Sequence, residues 1–118
     1  MTPAKLQQQL DMGKPISAED LSGWDLRAMP LAGAMLSQVD LSGADLRGVD
    51  LENTAFSGCN LLGARLDDAK LKGTNFTQCN LQGLAWPLKH LDQVSFVKSH
   101  LAQSDFQGVY LHRCLLIE

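Results

Sequence analysis

Every residue numbered 21, 26, 31 and onward in fives to 116 is Leu, Phe or Trp, without exception over twenty positions. The ten glycines all fall in a second phase of the same count, at numbers ending in 3 or 8. No straight element accommodates this pattern. Five residues advance an α-helix by about 140°, which would scatter the apolar row around the cylinder. On a flat strand an odd spacing sends successive side chains to opposite faces. The row shares one side only if the chain turns a corner in every repeat. The glycine phase marks those corners, because glycine accepts the positive φ that tight turns often need. A chain that bends the same way every five residues winds into a solenoid, with the Leu/Phe row pointing at its axis.

The number of sides follows from a longer offset. Residues 20–27 read D-L-S-G-W-D-L-R and residues 40–47 read D-L-S-G-A-D-L-R. Ser37/Ser57, Thr54/Thr74, Phe56/Phe76/Phe96, Cys59/Cys79 and Asn60/Asn80 match at the same spacing. That spacing is four repeats of five, so each coil has four faces. Residues 21, 41, 61, 81 and 101 should stack on one inner face, and those at 26, 31 and 36 should start the other three columns. Neighbouring coils should lie about 4.8 Å apart, as adjacent strands do.

The unit in these columns is A-(D/N)-L-x-G, as in Ala44-Asp45-Leu46-Arg47-Gly48 and Cys59-Asn60-Leu61-Leu62-Gly63. It resembles the pentapeptide-repeat family over roughly residues 16–118. The resemblance implies an all-β fold, a right-handed quadrilateral parallel β-helix of about five coils. It also implies that the small residue two before each Leu points inward and that the other three positions point outward. The expected organisation is a capping helix and linker over residues 1–15, followed by the repeat β-helix over residues 16–118.

Thr2 suits a helix N-cap, Pro3 a first helical position and Gly13 a C-terminal stop, so residues 2–13 read as a short helix. Its expected place is over the open N-terminal end of the tube, which otherwise exposes an apolar bore and unpaired backbone. Trp24 and Met29 support this, since they put bulk at inward positions that elsewhere hold Ala, Val, Thr or Cys. Residues 84–90 break the pattern. Leu84 and Trp86 would crowd the bore, Lys89 would place a charge in it, and Pro87 removes a ladder donor. An irregular protrusion over Trp86, Pro87, Leu88, Lys89 and His90 is therefore expected, with the Lys89 ammonium reaching solvent.

At the other end the chain stays in phase to its last residues and no helix follows. The outward column Ser37, Ser57, Thr77, Val97, Ile117 turns from polar to apolar, with Leu115 alongside. Val97, Leu115 and Ile117 beside an uncapped end read as a self-association site, through which a homodimer could form.

Composition narrows the function. The formal net charge is −3. Residues 1–60 carry eight acids and four bases, and residues 61–118 carry five and six. This is not the basic balance of a nucleic-acid binder. Asp20, Asp25, Asp40, Asp45, Asp50 and Glu52 form a candidate acidic surface in the N-terminal half, with Arg27 and Arg47 placed to neutralise Asp25 and Asp45. No apolar run is long enough to span a bilayer, and the N-terminus lacks the apolar stretch of a signal peptide. A cytoplasmic location is expected. Cys59, Cys79 and Cys114 occupy small inward positions as packing thiols. His90, His100 and His112 point outward without triad or metal-site partners. No enzyme, cofactor or metal is expected. The expected function is a non-enzymatic interaction module whose partner is another protein. Two roles follow from the family resemblance: an accessory of a bacterial secretion or effector system, or a DNA mimic that binds an enzyme such as DNA gyrase.

Overall fold

The inward phase and the corner phase together determine the path. A computed structural model of the chain describes residues 1–84, 86 and 90–117. At most corners the residue two after the inward Leu or Phe has positive φ, from +53° to +76°. Where the turn closes tightly, the residue three after the inward one donates back to it, as Ala44 N–H does to the Leu41 carbonyl. That geometry is a type II turn, whose third residue needs positive φ. Glycine supplies about half of these corners, and Gln38, Asn53, Gln78 and Lys98 are among the other residues that hold the same conformation.

Between corners the chain is extended for only two or three residues. These pieces are β1 (Ile16–Ser17), β2 (Met35–Ser37), β3 (Ala55–Ser57), β4 (Asn75–Thr77), β5 (His90–Asp92) and β6 (Tyr110–His112). All pairings are parallel at an offset of twenty: Leu36 with Phe56, Phe56 with Phe76, Leu91 with Leu111. Single bridges continue the same ladder on the other sides, through Asp20, Asp40, Asn60, Asn80 and His100, and through Asp25, Asp45 and Arg65. Leu21, Leu41, Leu61 and Leu81 donate to the carbonyls of residues 40, 60, 80 and 100, so the second inner column is the expected one. The fold is a four-sided, right-handed parallel β-helix, with principal extents of 37 × 21 × 20 Å. We number its faces by inner column: first (16 to 116), second (21 to 101), third (26 to 106) and fourth (31 to 111).

The bore is filled by the inward rows. From Leu21 to Phe96 the inward Leu, Phe and Trp side chains are buried, and each contributes about 1.5–3 kcal/mol by leaving water. In this inward row the aromatics begin at Phe56 and share the lower coils with Leu. Phe56 and Phe76 stack at 5.1 Å, Phe76 and Phe96 at 5.8 Å, and Trp86 stacks on Phe106 at 5.5 Å. The small inward positions share the core, with Val39, Ala44, Thr54, Cys59 and Cys79 all buried.

One helix, α1 (Pro3–Asp11), precedes the coils. Thr2 Oγ1 accepts from the Lys5 N–H at 3.2 Å, and Pro3 opens the first turn. Gly13, at φ +69°, ends it: its N–H bonds the Leu10 carbonyl, and the Lys14 N–H bonds the Gln9 carbonyl. This is a Schellman stop. Leu6 is fully buried and Leu10 and Met1 pack against the core, so α1 lies over the first coil. Trp24 and Met29 are half-buried and join the same cluster.

Trp86 does not belong to a protrusion. It is 3% exposed and stands edge-on to Phe76 and Phe96, with centroids 6.0 and 5.4 Å away. The ladder continues past it, because Trp86 N–H donates to the Asp105 carbonyl and Asp105 N–H to the Leu84 carbonyl. The edge-on packing supplies the room that a face-on indole would lack. Its Nε1 has no hydrogen-bond partner among the described residues. His90 is exposed at the start of β5. Pro87, Leu88 and Lys89 lie outside the described residues.

Candidate interaction surface

Outward side chains come from the positions immediately before and after each inward Leu or Phe, and from corner residues such as Gln38, Asn53 and Lys98. The position before is the Asp/Asn column, and its first use is local. Asp20 Oδ1 accepts from Ser22 N–H at 3.0 Å, Asp40 Oδ1 from Ser42 N–H at 2.9 Å and Asp50 Oδ1 from Glu52 N–H at 2.9 Å. Asn60 and Asn80 do the same for residues 62 and 82. Only a short side chain bearing an acceptor oxygen closes this turn, which is why the repeat alternates Asp with Asn.

The acids do not form one patch. Asp20 and Asp40 lie on the second face, Asp25 and Asp45 on the third, and Asp50 with Glu52 on the fourth, where Asp50 pairs in register with Lys70. On the third face Arg27 grips Asp25 through two contacts of 2.9 Å, and Arg47 grips Asp45 at 2.9 and 2.7 Å. The Arg27 Nε also lies 3.4 Å from Asp45. The bidentate contacts hold the acids ionised. The hydrogen bond from Arg27 lowers the pKa of Asp25 to about 2, and the one from Arg47 lowers that of Asp45 further. The third coil reverses the order, with Arg65 before the inward Leu and Asp67 after it, 3.3 Å apart. This face is a neutralised ladder, not a field of free negative charge.

The C-terminal end is different. Leu115 and Ile117 are 48% and 47% exposed, and Val97 is half-buried on the coil above. Leu116 and Leu111, both in the inward phase, are also exposed, at 51% and 40%. Sequence patterning ranks these two with the core. Tyr110 is exposed as well and meets His90 edge-to-face at 5.7 Å. His112 Nδ1 lies 3.3 Å from Asp92 Oδ1. An open groove of about 690 Å³ runs along this end between Phe96, Lys98, Leu101 and Ile117.

The family model for the pentapeptide repeat region matches residues 29–106. The chain belongs to the pentapeptide-repeat family. Among solved structures it is similar to a pentapeptide repeat protein of the Arabidopsis thaliana thylakoid lumen, at 23% identity and a TM-score of 0.60, over 82% of this chain and 64% of that one. Rfr23, a pentapeptide repeat protein of the cyanobacterium Cyanothece 51142, matches at 24% identity and a TM-score of 0.44, over 86% of this chain and 60% of that one. QnrB1, a plasmid-mediated fluoroquinolone resistance protein, matches at 16% identity and a TM-score of 0.36, over 78% and 62%. The chain thus spans less than two thirds of each of these three relatives. No curated protein matches it significantly. No helix among the described residues is long and apolar enough to cross a membrane.

Proposed function

We propose that this chain is a non-enzymatic protein-interaction module that self-associates through its C-terminal end. It would work in the bacterial cytoplasm as an accessory of a secretion or effector system. One observation carries the reading. Leu115, Leu116 and Ile117 are about half exposed together, whereas the bore above them is packed with side chains. A contiguous apolar cluster on the surface favours association, and a two-fold contact covers the cluster of both copies at once. Equilibrium sedimentation at micromolar concentration tests it. A dimer that dissociates when Leu115→Glu and Ile117→Glu are combined is the expected result, and a monomer throughout would refute it.

The DNA-mimic reading has less support. A mimic needs free negative charge along the rod, and here Asp25 and Asp45 are tied to Arg27 and Arg47. Gyrase supercoiling with and without the protein separates the two readings. No change is expected. A change that Asp20→Asn with Asp40→Asn abolishes would establish mimicry instead.

A further inference from the structure

The four faces differ in charge. On the first face the outward pairs run from Met35 and Ser37 down to Leu115 and Ile117, and no side chain in these two columns carries a charge; the exposed Lys98 stands at the corner beside them. Every other face carries acids. The first face is also the one with the longest continuous ladder, β1 to β4 and then the bridges Asn75–Ser95 and Ser95–Leu115.

We propose that this uncharged face pairs with the same face of a second copy, along its whole length and with the two rods parallel. The proposal rests on the reading that the module self-associates, and it extends the contact from the apolar residues Leu115 and Ile117 along the side of the rod. A two-fold axis parallel to the rods sets each column before the inward residue against the column after it. Leu115 then meets Ile117 of the second copy, Ser95 meets Val97, Asn75 meets Thr77, Ala55 meets Ser57 and Met35 meets Ser37. The apolar rows at the C-terminal end cover one another. The small and polar rows above them allow the sheets to approach to the usual face-to-face spacing of about 10 Å.

The remaining faces do not permit the same pairing. On the fourth, Asp50 would oppose Glu52 and Lys70 would oppose Lys72 of the second copy, and like charges across an interface are costly. On the third, the Arg27–Asp25 and Arg47–Asp45 pairs would lose water that their exposed geometry now retains. On the second, Asp20 and Asp40 would be desolvated. The two outward columns of the first face alone pair without removing a charge from water, with Lys98 left at the rim of the contact. It is five coil spacings long, about 24 Å, on a rod 21 Å across. The contact therefore buries on the order of 500 Å² per copy, about 1,000 Å² in all, near the lower bound for a specific interface.

Sedimentation equilibrium from micromolar to submillimolar protein tests the geometry with the whole chain. Ala55 lies mid-face in the column that holds Met35, so a long side chain fits there. Ala55→Arg should raise the dimer dissociation constant at least about tenfold, because it places a charge in the desolvated contact. Thr77→Lys should act alike, while Gln107→Arg on the third face should leave the constant unchanged. Circular dichroism confirms that each variant is folded. A dimer that survives both Ala55→Arg and Thr77→Lys but is lost with Ile117→Glu would overturn the side-by-side contact and leave end-on association standing. A monomer at every concentration would overturn both.

Discussion

The Thr54 hydroxyl donates to the carbonyl oxygen of Leu31, 2.7 Å away and twenty-three residues earlier, on the coil above. Thr74 repeats the bond to Leu51 at 2.7 Å. Cys59, Cys79 and Cys114 make the same step with thiols, to the carbonyls of Leu36, Phe56 and Leu91. Ser99 and Ser104 make it on the lower coils. The small inward position is thus a hydrogen-bonding seam that ties consecutive coils inside the bore. Thr, Ser and Cys interchange there because each offers one donor on a compact side chain.

Thr54→Val and Thr74→Val should each destabilise the protein by about 1 kcal/mol, the net value of one intramolecular hydrogen bond. The Leu31 and Leu51 carbonyls keep their turn bonds from residues 34 and 54, so neither is left wholly unpaired. Urea unfolding measures the loss. An unchanged midpoint in both variants would show that the seam adds nothing.

The same seam accounts for the thiols. Cys59 and Cys79 are buried and free, and Cys114 is partly exposed. The pKa of Cys79 is pushed up, first by its hydrogen bond to Cys59 and then by burial. In the native state a charged disulfide reagent should modify Cys114 alone, with all three thiols reacting in denaturant. Mass spectrometry of the labelled protein identifies the sites.

Corner strain predicts opposite outcomes for two substitutions. Gly48 sits at φ +70° with open space where a Cβ would go. Gly48→Ala should therefore cost about 1–2 kcal/mol from backbone conformation alone. Gln78 holds φ +53° without that freedom, so Gln78→Gly should be neutral or stabilising. Thermal melts of the two variants check the signs.

Removing an inward side chain should be far more damaging. Phe76 is fully buried between Phe56 and Phe96, and Phe76→Ala should cost about 3–5 kcal/mol through the cavity it leaves. Leu61→Asp should prevent folding, since it buries an unpaired charge. Circular dichroism and limited proteolysis distinguish the two levels of damage.

The third-face ion pairs give an acid-side dependence. Asp25 has a folded pKa of about 2 against an ordinary 3.8, and Asp45 is lowered as well. A carboxyl whose pKa is depressed by folding stabilises the native state above its unfolded value. That contribution is complete above about pH 4 and is lost as pH falls toward 2. The sites are exposed, so the amplitude should be small and should shrink with salt. Melting temperatures of the wild type and of Asp45→Asn across this range should converge at the acid end.

The period of five, the offset of twenty and the A-(D/N)-L-x-G unit were enough to read four sides, the identity of the inner columns and the inward place of Cys59 and Cys79. A strict repeat makes each coil copy its neighbour, so local chemistry and global path coincide. Three matters depended on the tertiary structure. Trp86 appeared too large for its column, yet it fits because Phe76 and Phe96, on two successive coils, together leave an edge-on slot. The acids read as one surface, but the corners deal them onto three faces, and Arg27 and Arg47 reach back to neutralise the middle one. Leu111 and Leu116 carry the core pattern and are nevertheless exposed. Burial in a solenoid is conferred by the coils on either side, and the identity of the residue cannot supply a neighbour that the described chain does not place beneath it.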